Sequence, residues 1–464
     1  MALHTHRSTP THVAGRVRIR RAVAITGIAI GGLAVLAAVG ATVAGVSLSS
    51  LTAKVDAYQL TAIVPQVFTT PEPRAEEPDG PVSFTLVAAG DVLPHDDLLV
   101  SANASGTFDM KPLWGQLDPW ISTADLAICH MEAPVAPPGT TPIGFPVFAA
   151  PPGLVPALKD QGWDGCSTAS NHMLDQGWPG VAATLEAFGA ERMGVVGTAA
   201  NEGESAQPQF YKVQGGNRDI TIAHLSWSYG TNGFPIPSGK PWSVNVFNPS
   251  AADASGMIAQ AQAARDAGAD VVIASVHCCV EYRAQPSTAQ RAVVQKLADS
   301  GLVDLVIGHH AHVAQPIEKL AGGPGGRGMW AAFGLGNYIS NQDITTVKRT
   351  EPASGLLLTA TFTVAVDGTV DVAAEWTGIT VDRTGGHTLH VISDIPGGVG
   401  NLTAAEVAKR YELLRAAVGT QAPERTTPPT SVADAAFWID RGPWTAPPGS
   451  QRPENPDDPM WPTE

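Results

Sequence analysis

Short apolar runs, each closed by a glycine or a polar cluster, recur along the chain from about residue 82. The runs Phe84–Ala89, Ala124–Ile128, Gly165–Ala169, Met193–Val196, Thr221–Leu225, Asp270–Val276 and 303–307 have the length of buried strands. Helical patterns fall between them. Val181–Phe188 reads as a short helix. Another starts at Pro286 and Ser287, carries Val293, Val294 and Leu297 on one face, and stops at Gly301. Gly355–Asp382 alternates in period two around a turn at Asp367 and Gly368, which predicts a β-hairpin finishing a sheet. Thr403–Val418 predicts an amphipathic helix. Strands alternating with helices predict an α/β domain whose ligand site lies beyond the carboxyl ends of the strands.

The two ends of the chain depart from this pattern. Residues 1–21 are basic and polar, and residues 22–51 carry no charge, a stretch long enough for a bilayer of ~30 Å. Arginines on its amino-terminal side place that side in the cytoplasm. The expectation is a single-pass signal anchor in the cell membrane with the body extracellular. A long cleaved signal is the alternative, and it places the body outside as well. Residues 52–81 read as an extracellular linker, 82–385 as the α/β domain, and 386–464 as a helix followed by a Pro-rich tail, poorly ordered from about 440.

Charge narrows the partners. The formal net charge is -15, with 15% charged and 44% hydrophobic residues. Five arginines and no acidic residue precede Ala22, so the rest of the chain is near -20. That excludes a nucleic-acid partner. An acidic body still accepts an anion at a metal centre, because the ion is the largest local charge. There are four cysteines, which allow three full pairings. Cys129 and Cys166 sit at neighbouring predicted strand ends, and in an oxidising compartment they are disulfide candidates. Cys278 and Cys279 are adjacent, so a bond between them requires an uncommon strained ring; reactive thiols are the alternative.

Five predicted strands each end in a loop bearing carboxylate, amide or imidazole groups. These are Asp91; His130 and Glu132; Asn171 and His172; His277 with Glu281 close behind; and His309, His310 and His312. If the strand direction carries on past Gly308, His310 and His312 project to the same side. Taken singly, each loop is an ordinary turn or cap. Five in one domain point to a metal site, and mixed oxygen and nitrogen donors suit Mn, Fe or Zn. Two divalent ions about 3.5–4 Å apart would suit hydrolysis of a phosphate-type ester.

The stretches AAGDV at 88–92, ADLAICHMEAPV at 124–135, TASNHMLDQG at 168–177, SVHCCVEY at 275–282, GHHAHVAQPIE at 308–318 and FGLGNYIS at 333–340 make the chain resemble the CapA-type capsule-synthesis (poly-γ-glutamate biosynthesis) family of the calcineurin-like metallophosphoesterase superfamily. The resemblance implies a four-layer αββα sandwich. It implies that Asp91 and His312 hold one metal, that Asn171, His277 and His310 hold the other, and that Glu132 bridges them. His172 takes the place of a proton donor, Glu281 and Asn337 fall outside the ligand set, and His95 is an extra ligand at a longer spacing than the superfamily's Asp-x-His.

Some positions depart from the family pattern. His130 and Ser170 replace asparagines, Cys278-Cys279 replaces Trp-Gly, and Ala311 replaces a proline. No arginine near Glu132 matches the superfamily's second-motif arginine. His130 either adds a ligand or packs behind one. The function this implies is synthesis or attachment of an anionic surface polymer such as poly-γ-glutamate, with a membrane synthase complex as partner. Two rivals stand beside it: a surface phosphoesterase with another substrate, and a non-catalytic polymer-binding or scaffold component.

Overall fold

Period-two alternation in the strands sorts their side chains between three cores. In β1 (Val82–Val92), Phe84, Leu86 and Ala88 point one way, and Val87 and Ala89 the other. The computed structural model describes residues 80–215, 218–431 and 437–440. In chain order after β1 come β2 (Leu126–Met131), β3 (Gly165–Ser167) and β4 (Gly194–Val196). Then come β5 (Gln209–Gly215), β6 (Arg218–Ser228), β7 (Val271–His277), β8 (Leu305–His309), β9 (Ile317–Leu320) and β10 (Met329–Ala332). β11 (Asn337–Ile339), β12 (Ser354–Val364), β13 (Val370–Asp382), β14 (Thr388–Val391) and β15 (Phe437–Asp440) complete the sheets.

One sheet runs β14-β13-β12-β1-β2-β3-β4, with β11 also pairing to β1; the other runs β15-β5-β6-β7-β8-β10-β9. Their inner faces share one core, in which Phe84, Leu86 and Ile128 meet Ile222, Ile273 and Ile307. The outer face of the first sheet packs on helices α1 (Leu154–Gln161) and α2 (Gly177–Ala190) through Leu154, Leu158, Val181 and Phe188. That of the second packs on α3 (Ser255–Asp266) and α4 (Thr288–Asp299), whose Met257, Ala261, Val293 and Leu297 cover Val272, Ala274 and Val306. Helix, sheet, sheet, helix is therefore the layering, an α/β sandwich.

The segment after 385 packs on this body. β14 extends the first sheet, and α5 (Ala404–Val418), capped by the Thr403 side chain, buries Val407, Leu414 and Val418 in the inter-sheet core. The expected anchor at 22–51, nearly all of the linker and the tail beyond Asp440 lie outside the described residues. Among those described, no helix is long and apolar enough to cross a membrane.

The two sheets are stitched together at one end by residues 333–337. The Leu335 N–H donates to the Gly308 carbonyl of the second sheet (3.1 Å), and the Asp91 N–H of the first donates to the Gly336 carbonyl (2.9 Å). A Cβ on Gly90 would stand 1.8 Å from the Gly336 oxygen, and one on Gly308 1.8 Å from the Phe333 oxygen. Only glycine admits these approaches. The stitch brings the strand ends carrying Asp91 and the 309–312 histidines together.

Candidate metal centre

Asp91, Glu132, His130, His277, His310, His312 and Glu281 converge at the carboxyl ends of β1, β2, β7 and β8. Their donor atoms form four overlapping groups, and within each group the atoms lie inside 4.8 Å of one another. Glu132 is common to two of them, one with His277 and His310, the other with Asp91 and His312. Its Oε1 lies 3.7 Å from His277 Nε2 and 3.8 Å from His312 Nε2. Asn171 joins through its Oδ1, 2.7 Å from His277 Nε2. Glu281, expected outside the ligand set, has a carboxylate oxygen within reach of His310 and His312 although its side chain is exposed.

Strand geometry brings most of these groups together, but not His310 and His312. β8 continues through Gly308 and ends at His309, and both later histidines have left-handed backbones, at φ 82° and 57°. A continued strand therefore does not align them. The turn does, leaving their ring centroids 5.9 Å apart. Such conformations cost energy in non-glycine residues and persist where surrounding contacts hold them. Here the His310 N–H donates to Asp91 Oδ2 at 3.2 Å, and His312 Nδ1 lies 3.0 Å from Asn337 Oδ1 and 3.1 Å from Asp91 Oδ2. Asn337 thus orients His312.

His130 backs the site. Its Nε2 stands 2.9 Å from His277 Nδ1, its Nδ1 2.8 Å from Ser167 Oγ, and its ring stacks on His309 at 3.9 Å. These bonds turn His277 Nε2 towards Asn171 and Glu132. His309 Nδ1 lies 3.5 Å from Asp91 Oδ1, outside the four groups. His95 is outside them too. Its Nδ1 is 3.1 Å from the Leu93 carbonyl, and its ring meets Phe148 edge-on.

His172 occupies a separate place. Its Nδ1 is 2.7 Å from Asp175 Oδ2, which also accepts the Phe148 N–H, and it belongs to none of the ligand groups. Asn232 approaches its ring at 3.3 Å and accepts from Asn171 Nδ2 at 3.0 Å. Sequence patterns did not single out Asn232, Tyr229 or Tyr282. The Tyr229 and Tyr282 rings lie 4.5 Å from His310 and 5.8 Å from His312. Asp175, three residues beyond His172, was the one such partner readable from spacing.

The electrostatics fit a cation. Burial drives the Glu132 carboxyl well above its usual range, reinforced by Asp91 and Glu281, against the opposing pull of His312. Both Glu132 oxygens and His310 Nδ1 are buried without a hydrogen-bond partner. Burial holds His130 and His277 neutral and lowers His310 to about 3. Burial would also raise Asp91, but hydrogen bonds from His309 and His312 outweigh it and keep it ionised. Burial would lower His312, but Glu132 and Asp91 raise it to about 10, so a bound cation would have to displace its proton. With that proton gone, imidazoles, an ionised aspartate and an unpartnered carboxylate are the donor set a divalent ion takes.

Cys129 and Cys166 face each other across β2 and β3 and form a disulfide, with Cα atoms 4.4 Å apart. Cys278 and Cys279 are also bonded, across a cis peptide.

A sandwich with a carboxylate and imidazole cluster at its strand ends is a metal-site scaffold, and sequence comparison gives its family. Residues 85–342 match the bacterial capsule synthesis protein PGA_cap family, and the chain belongs to it. It is 29% identical over 196 residues to the PGA biosynthesis protein CapA of Bacillus subtilis (strain 168), covering 42% of this chain and 47% of that protein. It is 28% identical over 198 residues to the capsule biosynthesis protein CapA of Bacillus anthracis, covering 42% and 44%. The chain thus spans about half the length of these curated relatives. A solved calcineurin-like phosphoesterase, YfkN from Bacillus subtilis, aligns at 12% identity with a TM-score of 0.34, covering 72% of this chain and 96% of that one.

Proposed function

We propose that this is a membrane-anchored, extracellular capsule-synthesis protein that acts on an anionic surface polymer, poly-γ-glutamate foremost, at a two-cation hydrolase centre. Glu132 carries the proposal: a carboxylate with both oxygens buried and unpartnered, shared by two ligand groups. In this reading Asp91 and His312 hold one divalent ion, Asn171, His277 and His310 hold the other, and Glu132 serves both. Bound there, Mn, Fe or Zn would supply charge for an anionic substrate and Lewis acidity for a hydrolytic water. His172 keeps its Asp175 bond through Nδ1, and in this reading Nε2, with Asn232 Nδ2 3.4 Å away, is the atom that would donate to a leaving oxygen. Asn232 and Asp175 hold that ring in place. A proton donor held apart from the ligands is what a hydrolase uses, and a binding module has no need of one.

The location is part of the same proposal. The uncharged stretch 22–51 behind five arginines supports an anchor, and two disulfides suit an oxidising compartment. The two named CapA relatives, by their names in PGA and capsule biosynthesis, support the polymer role, and a synthase complex is proposed as the partner alongside it.

The test is metal analysis of the purified full chain in detergent, followed by a panel of phosphodiesters and polyglutamate. Retention of close to two divalent ions with turnover of a panel member is the expected result. A protein that retains no divalent ion refutes the centre. Metal retention with polymer binding and no cleavage favours the non-catalytic polymer-binding component.

A further inference from the structure

Beside the metal cluster runs a cleft of about 150 Å³. Three segments build it, one of them continuing directly from His312 of the cluster. Ala284 and Gln285 follow Arg283, Val313 and Ala314 follow His312, and Thr350 and Glu351 follow Arg349. Its far wall is α5, through Arg410, Leu413, Leu414 and Ala417. Tyr282 connects cleft and cluster. Its N–H donates to the Ala311 carbonyl at 2.8 Å, its ring lies 5.8 Å from the His312 ring, and the Arg349 guanidinium sits over it at 5.9 Å.

Most of the cations here lack carboxylate partners, the exception being Arg410, which pairs with Glu406. Elsewhere in the described body Arg265, Arg291, Arg327, Arg383 and Arg425 each pair with a carboxylate. Arg349 and Arg283 are exposed and make no ion pair among the described residues. At the other end, Lys409 Nζ reaches Thr350 Oγ1 at 3.2 Å. Arg410 is 4% exposed; its Nη groups bind Thr380, Val381 and Glu406, but its Nε is buried with no partner. A buried guanidinium N–H with no acceptor is costly unless a ligand supplies one. Glu351, the acid in the wall, pairs with none of these cations.

We propose that this cleft is a second anion subsite, which takes a carboxylate-bearing unit of an extended anionic chain while another unit lies at the metal cluster. Arg349 meets the chain at the mouth over Tyr282, and Arg410 lines the interior. On a body of strongly negative charge, Arg283, Arg349 and Lys409, which form no ion pair among the described residues, give a polyanion a place to engage. The cleft walls are mostly aliphatic, which suits the methylene-rich backbone between carboxylates. The inference rests on the anionic-polymer reading above.

The test uses a fluorescein-labelled γ-linked glutamate decamer and the full chain in detergent, read by anisotropy at low and moderate salt, with metal content measured on each sample. Arg349→Ala removes the mouth cation. Ala416→Trp fills the cleft from an exposed position on α5. Arg192→Ala is the control, since Arg192 is exposed and precedes β4, at the opposite end of that sheet from the cluster. Each of the first two variants should weaken decamer binding about tenfold, Arg349→Ala with a shallower salt dependence, and metal content should be unchanged. The control should stay within twofold. Wild-type affinity in both variants, or no decamer binding by the metal-loaded wild type, overturns the subsite while leaving the metal centre standing. A wild type that binds decamer but retains no metal instead refutes the hydrolase centre and leaves the subsite to stand on its two variants.

Discussion

Replacing both Cys129 and Cys166 by alanine should destabilise the protein by about 4 kcal/mol. The two residues are 37 positions apart, and closing a loop of that length removes about 4 kcal/mol of denatured-chain entropy at 25 °C. For roughly 350 folded residues, at about 2 cal/mol/K of unfolding entropy per residue, that lowers the thermal midpoint by about 5 °C. The effect should reach the site as well. The cross-link joins β2, which carries His130 and leads to Glu132, to β3, which leads to Asn171 and His172. One register position further along, His130 and Ser167 are opposed and hydrogen-bonded at 2.8 Å. Without the cross-link the two ligand-bearing loops depend on three residue pairs of a short parallel ladder, so divalent-metal affinity should fall along with the midpoint. Scanning calorimetry and metal titration of the alanine double variant against wild type measure both. Non-reducing peptide mapping should recover the 129–166 cross-link from wild type. A midpoint within 1 °C of wild type, together with that cross-link intact in wild type, would refute the argument that it stabilises the fold.

Three further outcomes are expected. Replacing His310 by alanine should strip metal and lower thermal stability, whereas His172→Asn should keep metal and fold and slow phosphoester turnover roughly 10²–10⁴-fold, less for a nitrophenyl leaving group; loss of metal from the His172 variant would make it a ligand. His224 is fully buried, and burial first, then His309, pushes its imidazole down to about 3. Between that value and the unfolded value near 6.5 the unfolded chain binds the extra proton, so stability should fall with pH across this window by about 1.4 kcal/mol per unit from this group. His224→Gln keeps a partner for Ser275 and should flatten the slope by that amount in urea melts from pH 6.5 to 5; an unchanged slope rules it out. Protease added to intact cells should remove the body beyond residue 52, and protection of the body would reject the extracellular reading.

The family, the order of the ligand-bearing loops and the strands that carry them were readable from the sequence, whereas β5, β9, β10, β11, β14 and β15 were not. Burial on one or both faces of a strand leaves a local pattern, and the glycine, histidine and carboxylate clusters sit where those patterns end. Strand limits shifted by a few residues: β1 runs to Val92 and so carries Asp91 within the strand, and β8 includes His309. What required the tertiary structure was convergence. Local periodicity carries no information on the turn that brings His310 and His312 together, because their left-handed backbones are sustained by contacts with Asp91 and Asn337, more than twenty residues away or on the other sheet. Nor does it reveal Asn232 against His172, or Arg349 over Tyr282, pairs separated by 60 and 67 residues. The sequence determined which groups could bind a cation, since that depends on residue type and on the end of a strand. Only the packing of one sheet on the other decided which of them share it, because distance between donors is set by the stitch of residues 333–337 onto Gly90 and Gly308, where two backbones approach too closely for a side chain.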